Sequence, residues 1–255
     1  MKRVVVKVGS AVLTQDGTIA LNRMQALVDF LAELKKDNEV ILVSSGAVAG
    51  GYTKIKLDRT IIKNKQALAA IGQPVLMKKY TKKFEKYGMI PAQVLVTAAN
   101  LNKEDDIQRI KNTIDTLLEN GVIPIVNEND ATATDELELG DNDQLSAYIA
   151  KHTDSDMLII LSDIDAYYDK DPREHDDARV LKVIDTIDKR ELEKEVTPHN
   201  VFATGGIVTK LKAASYLLES HKEMFLASGF DLSDVKSFML ENKHLGGTLF
   251  TSKVQ

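Results

Sequence analysis

Apolar positions along the 255-residue chain fall into two alternating patterns. Short continuous runs rich in Val, Ile and Leu predict strands at 3–8 (RVVVKV), 39–45 (EVILVSS), 89–96, 121–126 (GVIPIV), 156–161 (DMLIIL), 223–228 (EMFLAS) and 247–252 (GTLFTS). Between them apolar residues recur at helical spacing. Met24, Leu27, Val28, Leu31 and Leu34 form one stripe, and Ile107, Ile110, Ile114, Leu117 and Leu118 another. Further helices are expected around 60–71 and 74–87, at 141–152 and 207–219, and before the last strand. Strands that read as unbroken apolar runs are buried on both faces, so the pattern predicts an α/β fold with a mostly parallel sheet covered by helices on both sides. Ligands of such sheets collect at the carboxyl ends of the strands. Those exits read Lys7 to Ser10, SSGA (44–47), NENDAT (127–132) and SDID (162–165), each polar, glycine-bearing or acidic.

Composition narrows the function classes. Hydrophobic residues at 44% and charged residues at 28% describe an ordinary globular chain with no linker-like or low-complexity tract. A formal charge of -5 and 5% aromatic residues argue against nucleic acid as the main partner. The lysines of MKKYTKKFEKYG (77–88) belong to an amphipathic helix with Met77, Tyr80 and Phe84 inward, and so face water. Cysteine is absent, which removes disulfides, thiolate metal sites and thiol nucleophiles, and makes the cytosol the expected compartment. No apolar run approaches the roughly 18 residues that span a bilayer, and the start is too short in apolar residues for a signal peptide, so no membrane partner is expected. The five histidines are scattered without ligand spacing.

Three groups of residues carry candidate chemistry. Lys7 lies near the end of an apolar strand, where its ammonium either snorkels to the surface or meets an anion. In FATGGIVTKLKAA (202–214), Gly205 and Gly206 precede a helix that bears Lys210 on its first turn. That arrangement is either a tight turn or an anion site built from main-chain N–H groups, a helix start and a charge, with phosphate the leading guest. The stretch NENDATATDELELGDNDQLSA (127–147) gathers Asn127, Glu128, Asn129, Asp130, Asp135, Glu136, Glu138, Asp141, Asn142 and Asp143. GDND alone serves as a helix cap, yet two Asn/Asp clusters exceed what capping requires and suit the ammonium and carboxylate of an amino acid. Ser45 with Gly46-Ala47 adds a hydroxyl and N–H groups. No EF-hand frame, no G-x-x-x-x-G-K-[ST] loop and no G-x-G-x-x-G after the first strand occurs.

VVKVGSAVLT (5–14), VSSGAVAGG (43–51), IPIVNENDATAT (123–134), GDNDQLSA (140–147), YYDKDPR (167–173) and TGGIVTKLKAA (204–214) resemble, in order, the glutamate 5-kinase family of the amino acid kinase superfamily. The resemblance implies a three-layer αβα sandwich around a mainly parallel eight-stranded sheet. It implies one kinase domain over residues 1–255, with L-glutamate at the N-terminal half and ATP at the C-terminal half. Lys7 and Lys210 then look like the pair on the transferred phosphate, with Asp143 holding both. Ser45, Gly46, Asp130, Asp141 and Asn142 match glutamate-binding positions; Ser162, Asp163, Thr204, Gly205, Gly206, Ile207, Val208 and Thr209 match ATP-binding ones, together with the two lysines. The implied reaction is ATP-dependent phosphorylation of the glutamate side chain, a step of proline biosynthesis, with Mg²⁺ carried by the nucleotide and no dedicated protein metal site. A cytoplasmic homo-oligomer (dimer or tetramer), proline inhibition and hand-over to glutamyl phosphate reductase are implied likewise. Many members continue into a PUA domain; none is expected here, because the chain stops just after GGTLFTS. Ser162 replaces the usual Thr, and Ala166 and Ala203 stand where glycine is frequent. The alternatives are a kinase of the same fold acting on uridylate, aspartate or acetylglutamate, and a catalytically silent ATP or amino-acid sensor. The acidic character of 127–143 opposes a nucleotide acceptor, and retention of Lys7, Lys210 and Asp143 opposes a silent sensor.

Overall fold

A computed structural model describes residues 1–132, 142–193 and 206–253. The elements begin with β1 (Lys2–Val8), α1 (Ser10–Leu13), the short hairpin β2 (Thr14–Gln15) and β3 (Thr18–Ile19), α2 (Leu21–Leu34) and β4 (Asn38–Ser44). Next come α3 (Ala47–Tyr52), α4 (Ile62–Phe84) with a 3₁₀ turn at Glu85–Tyr87, β5 (Pro91–Val96), α5 (Ala98–Leu101), α6 (Glu104–Glu119) and β6 (Ile123–Glu128). The second half holds α7 (Asn142–His152), β7 (Met157–Ser162), β8 (Val183–Ile184), α8 (Lys189–Leu192), α9 (Gly206–Leu218), β9 (Glu223–Ser228), α10 (Ser233–Leu240) and β10 (Thr248–Phe250).

Eight strands form one sheet in the order β5-β6-β4-β1-β7-β9-β10-β8. Every pairing is parallel except β9 with β10. The chain runs from β1 outward through β4 towards one edge, then returns to place β7 on the other side of β1. This reversal makes the carboxyl ends of β1, β4 and β7 a topological switch point, where open α/β sheets bind ligands.

The period of two along each strand separates two cores. Val4, Val6 and Val8 of β1 face the layer made by α2, α4 and α10, together with Leu42, Ile159 and Phe225. Val5 faces the opposite layer, in which Leu145 of α7, Leu211 of α9 and Ile114 of α6 are buried. By the same alternation Lys7 projects to the side of α7 and α9, an orientation that a one-residue change of register would reverse.

Residues 62–84 differ from expectation. They form one helix with Pro74 inside it, rather than two helices meeting near the Gly72-Gln73-Pro74 stretch. Leu68, Gly72, Leu76, Tyr80 and Phe84, four residues apart, form a buried ridge that continues past the proline. Pro74 itself is exposed, as is Ala70, whose carbonyl the missing N–H leaves to water. No helix among the described residues is long and apolar enough to cross a membrane.

Candidate active site

Asp143 is the centre of the site. It lies in the first turn of α7 and is fully buried, as are Lys7 on β1 at 1% exposure and Lys210 on α9 at 2%. Lys7 Nζ donates to Asp143 Oδ1 at 2.5 Å, and Lys210 Nζ donates to Oδ2 at 3.0 Å. Lys210 reaches back along its helix, as side chains in a helix do, and also donates to the Gly206 carbonyl at 2.9 Å. Thr209 Oγ1 gives Asp143 Oδ2 a further hydrogen bond at 2.9 Å. Burial alone would push the Asp143 carboxyl up; the charges of Lys7 and Lys210 and their hydrogen bonds overcome it and hold the group well below the usual carboxylate range. Within this triad two ammonium groups meet one carboxylate, an excess of one positive charge, and both lysines line a cleft of 670 Å³ at the strand exits. A buried positive excess at a cavity wall is complementary to an anionic guest.

One end of the cleft is built by β4, β6 and α7. Gly46 turns β4 into α3 through a left-handed φ of 105°, which favours glycine. Ser45, Gly46 and Ala47 line the cleft there with Asn127, Glu128 and Asp130. Asn142 Nδ2 donates to Ser45 Oγ at 2.9 Å and to Asn127 Oδ1 at 3.0 Å, so two of the strand exits marked in sequence are joined by hydrogen bonds to the start of α7. Arg59, Ile62, Lys65 and Gln66, from the approach to α4 and its first turns, complete this end. The Arg59 guanidinium lies 4.5 Å from the centre of the Tyr52 ring, a stacking contact that orders it.

The other end is formed by Ser162 and Asp163 at the exit of β7 and by Gly206 at the start of α9. Ser162 Oγ donates to Asp163 Oδ1 at 2.9 Å and accepts from the Ile164 N–H at 3.3 Å, the hydroxyl role that the expected Thr would have filled. Gly9 follows β1 across the floor, its N–H bonded to the Leu161 carbonyl at 3.0 Å.

Of the residues singled out in sequence, Lys7, Lys210, Ser45, Gly46, Asp130, Asn142, Ser162, Asp163 and Gly206 meet at this one cleft. Asp143 stands behind the lysines. Ile207 packs against the core on the α7–α9 side and Val208 is buried, so the side chains of neither line the cleft. Thr209 is turned to Asp143. Asp141, Thr204 and Gly205 lie outside the described residues, as do Asp135, Glu136 and Glu138. Ser10 belongs to the first strand exit marked in sequence, whereas sequence reasoning missed Thr14, Arg59, Lys65 and Gln66. The last three follow the Ser44–Gly46 exit after only one short helix, and that closeness along the chain was the available signal.

A family model described as the Amino acid kinase family matches residues 2–228. The glutamate 5-kinase of Wolinella succinogenes is 51% identical over 98% of both chains, and that of Leishmania donovani is 49% identical over 100% of this chain and 97% of its own. The solved isopentenyl phosphate kinase of T. acidophilum superposes with a TM-score of 0.67 over 97% of this chain and 99% of its own at 18% identity, a likeness of fold. The chain therefore belongs to the amino acid kinase family, within its glutamate 5-kinase group.

Proposed function

We propose that the protein transfers the γ-phosphoryl group of ATP to the side-chain carboxylate of L-glutamate, giving L-glutamyl 5-phosphate and ADP, the entry step of proline biosynthesis. The observation that carries this reading is the convergence of Lys7 and Lys210 on Asp143 at a cleft whose two ends differ in chemistry. The acceptor end carries both signs, Glu128 and Asp130 against Arg59 and Lys65. That mixture complements glutamate, which brings one ammonium and two carboxylates. The nucleotide end, with Ser162, Asp163 and Gly206, receives ATP.

A glutamate side chain with a pKa of about 4.3 is ionised at neutral pH, so the nucleophile needs no base. Among the described residues, no histidine lines the cleft. One carboxylate oxygen forms the new bond to the γ-phosphorus as the bond to the β,γ-bridging oxygen breaks, and that electron pair leaves with ADP. Two anions that repel each other must be held in line while charge builds on the transferred group and the leaving oxygen. Lys7 and Lys210 are placed to neutralise that charge, and Asp143 keeps both ammonium groups from reorienting during the reaction. Mg²⁺ would enter with ATP and would add to the neutralisation of phosphate charge. The product is an acyl phosphate prone to hydrolysis, which favours a reductase as the next enzyme.

ADP release measured against L-glutamate, L-aspartate, N-acetyl-L-glutamate and UMP tests the assignment. Turnover is expected with L-glutamate; preference for any other acceptor, or no acceptor-dependent release, overturns it.

A further inference from the structure

A chain of side-chain amides runs from the edge of the sheet to the acceptor end of the cleft. Gln93 lies on the edge strand β5, and its Oε1 accepts from Gln73 Nε2 of α4 at 3.0 Å. Gln73 Oε1 accepts from Asn127 Nδ2 at 3.0 Å, and Asn127 Oδ1 accepts from Asn142 Nδ2 at 3.0 Å. The inner three are buried: Gln73 at 8%, Asn127 at 2% and Asn142 at 8% exposure.

An amide can be turned end for end, and only its partners say which end is which. Here the main chain fixes the direction twice. The Glu128 N–H can only donate, and it donates to Asn127 Oδ1 at 2.9 Å. The Ser44 carbonyl can only accept, and it accepts from Asn142 Nδ2 at 3.3 Å. Between these anchors Asn142 must present Nδ2 inward, which leaves Oδ1 as what it can offer the cleft. Ser45 Oγ already accepts from Asn142, so its own proton is left to donate. Gln73 lines a smaller cavity of 170 Å³ that shares Ala47, Glu128 and Asp130 with the cleft, and it reaches Asn142 through Asn127.

We propose that Gln73, anchored at the sheet edge by Gln93, is a positioning residue for the acceptor. By holding Asn127, it locks the Asn142 amide and the Ser45 hydroxyl as an acceptor and a donor side by side, the complement of the ammonium and carboxylate of an α-amino acid. This rests on the glutamate reading above. Gln93 is exposed, so water can replace it, and Gln73 carries the larger effect.

Steady-state kinetics on Gln73→Met, which keeps volume and removes both polar ends, test the relay. The KM for L-glutamate is expected to rise about tenfold or more, with kcat within about threefold and the KM for ATP unchanged, because Asn127 loses a buried partner. Gln73→Glu keeps an oxygen towards Asn127 while the exposed Gln93 amide turns over, and is expected within about threefold of the starting KM. Gln73→Ala is the second variant if the thioether perturbs folding, with the same direction expected. In the double variant with Asn142→Ala, the Gln73→Met effect on KM is expected to vanish, since one acts through the other. A glutamate KM unchanged in both Gln73→Met and Gln73→Ala, or an effect that adds fully to that of Asn142→Ala, overturns the relay alone. Absence of glutamate-dependent turnover in the unaltered protein overturns the functional reading and the relay with it.

Discussion

Lys7 occupies a central strand of an eight-stranded sheet, where its buried ammonium is met by the Asp143 carboxylate. On the proposed reaction, its removal would take charge from the transferred phosphate and leave Asp143 with Lys210, so folding is expected to survive better than catalysis. Lys7→Ala and Lys210→Ala are each expected to lower kcat by about 10²- to 10³-fold with little change in the glutamate KM. Asp130→Ala, at the acceptor end, is expected mainly to raise that KM; unchanged turnover in both lysine variants would refute the clamp. Asp143 also sets an acid limit. Its folded carboxyl titrates below its unfolded one, so its contribution is complete above about pH 4 and is lost as the pH falls towards the folded value of about 2. Asp143→Asn is expected to flatten that part of the acid limb and to lower stability at pH 7 by about 3–5 kcal/mol, because two ammonium groups remain buried without it. Urea titrations between pH 2.5 and 7 read both effects. Lys7 and Lys210 stood out in sequence because a lysine inside an apolar run, or after a glycine pair, is chemically conspicuous, whereas the place of Asp143 between them came only from the family resemblance. Gln73 did not stand out, since a glutamine in a helical pattern looks the same whether it faces water or an asparagine.

The acceptor end depends on how closely two helices approach. A Cβ added to Gly72 of α4 would lie 1.7 Å from the Ala47 carbonyl oxygen, and one on Gly51 of α3 would lie 2.0 Å from the Leu68 carbonyl oxygen. The helices therefore meet backbone to backbone, and Ala47, which lines the cleft, is held by that contact. Gly72→Ala is expected to lower stability by about 3 kcal/mol or more and to raise the glutamate KM as α3 is displaced, measured by denaturant midpoint and kinetics. Two residues on, Pro74→Ala should act oppositely. It restores an N–H to an exposed turn, and the helical gain of up to about 3 kcal/mol exceeds the entropy that proline removes from the unfolded chain, about 1 kcal/mol. A higher thermal midpoint with unchanged kinetics is expected. Between the two helices expected around 60–71 and 74–87, Gly72 is thus a contact and Pro74 a tolerated interruption of one helix, and only the partner helix distinguishes them. The long apolar strands were legible to within about two residues, whereas β8, Val183–Ile184, is too short to carry a period and is defined by its pairing with β10.

At the scale of the molecule, β1 joins two halves that present different chemistry to one cleft. On the proposed reading, the exits of β4 and β6 bear the acceptor residues and the exit of β7 and the start of α9 the nucleotide residues, while α7 carries Asn142 to Ser45 and Asn127, and Asp143 to the two lysines. The meeting of these exits follows from the order of the strands; the alternation of strands and helices in sequence predicted a mostly parallel sheet but not that order. A consequence is that each ligand protects its own set of amides, while α7 responds to both. In hydrogen–deuterium exchange, an ATP analogue is expected to slow the first turn of α9 and the β7 exit, and L-glutamate the Ser45–Ala49 segment, with the first turn of α7 slowed further when both are present. Each ligand at a hundred times its Kd stabilises the fold by about 2.7 kcal/mol. The two increments add if the halves are independent and exceed their sum if Asn142 and Asp143, adjacent on one turn, couple them. Protection by glutamate confined to the α9 side would place the acceptor at the wrong end and overturn the division.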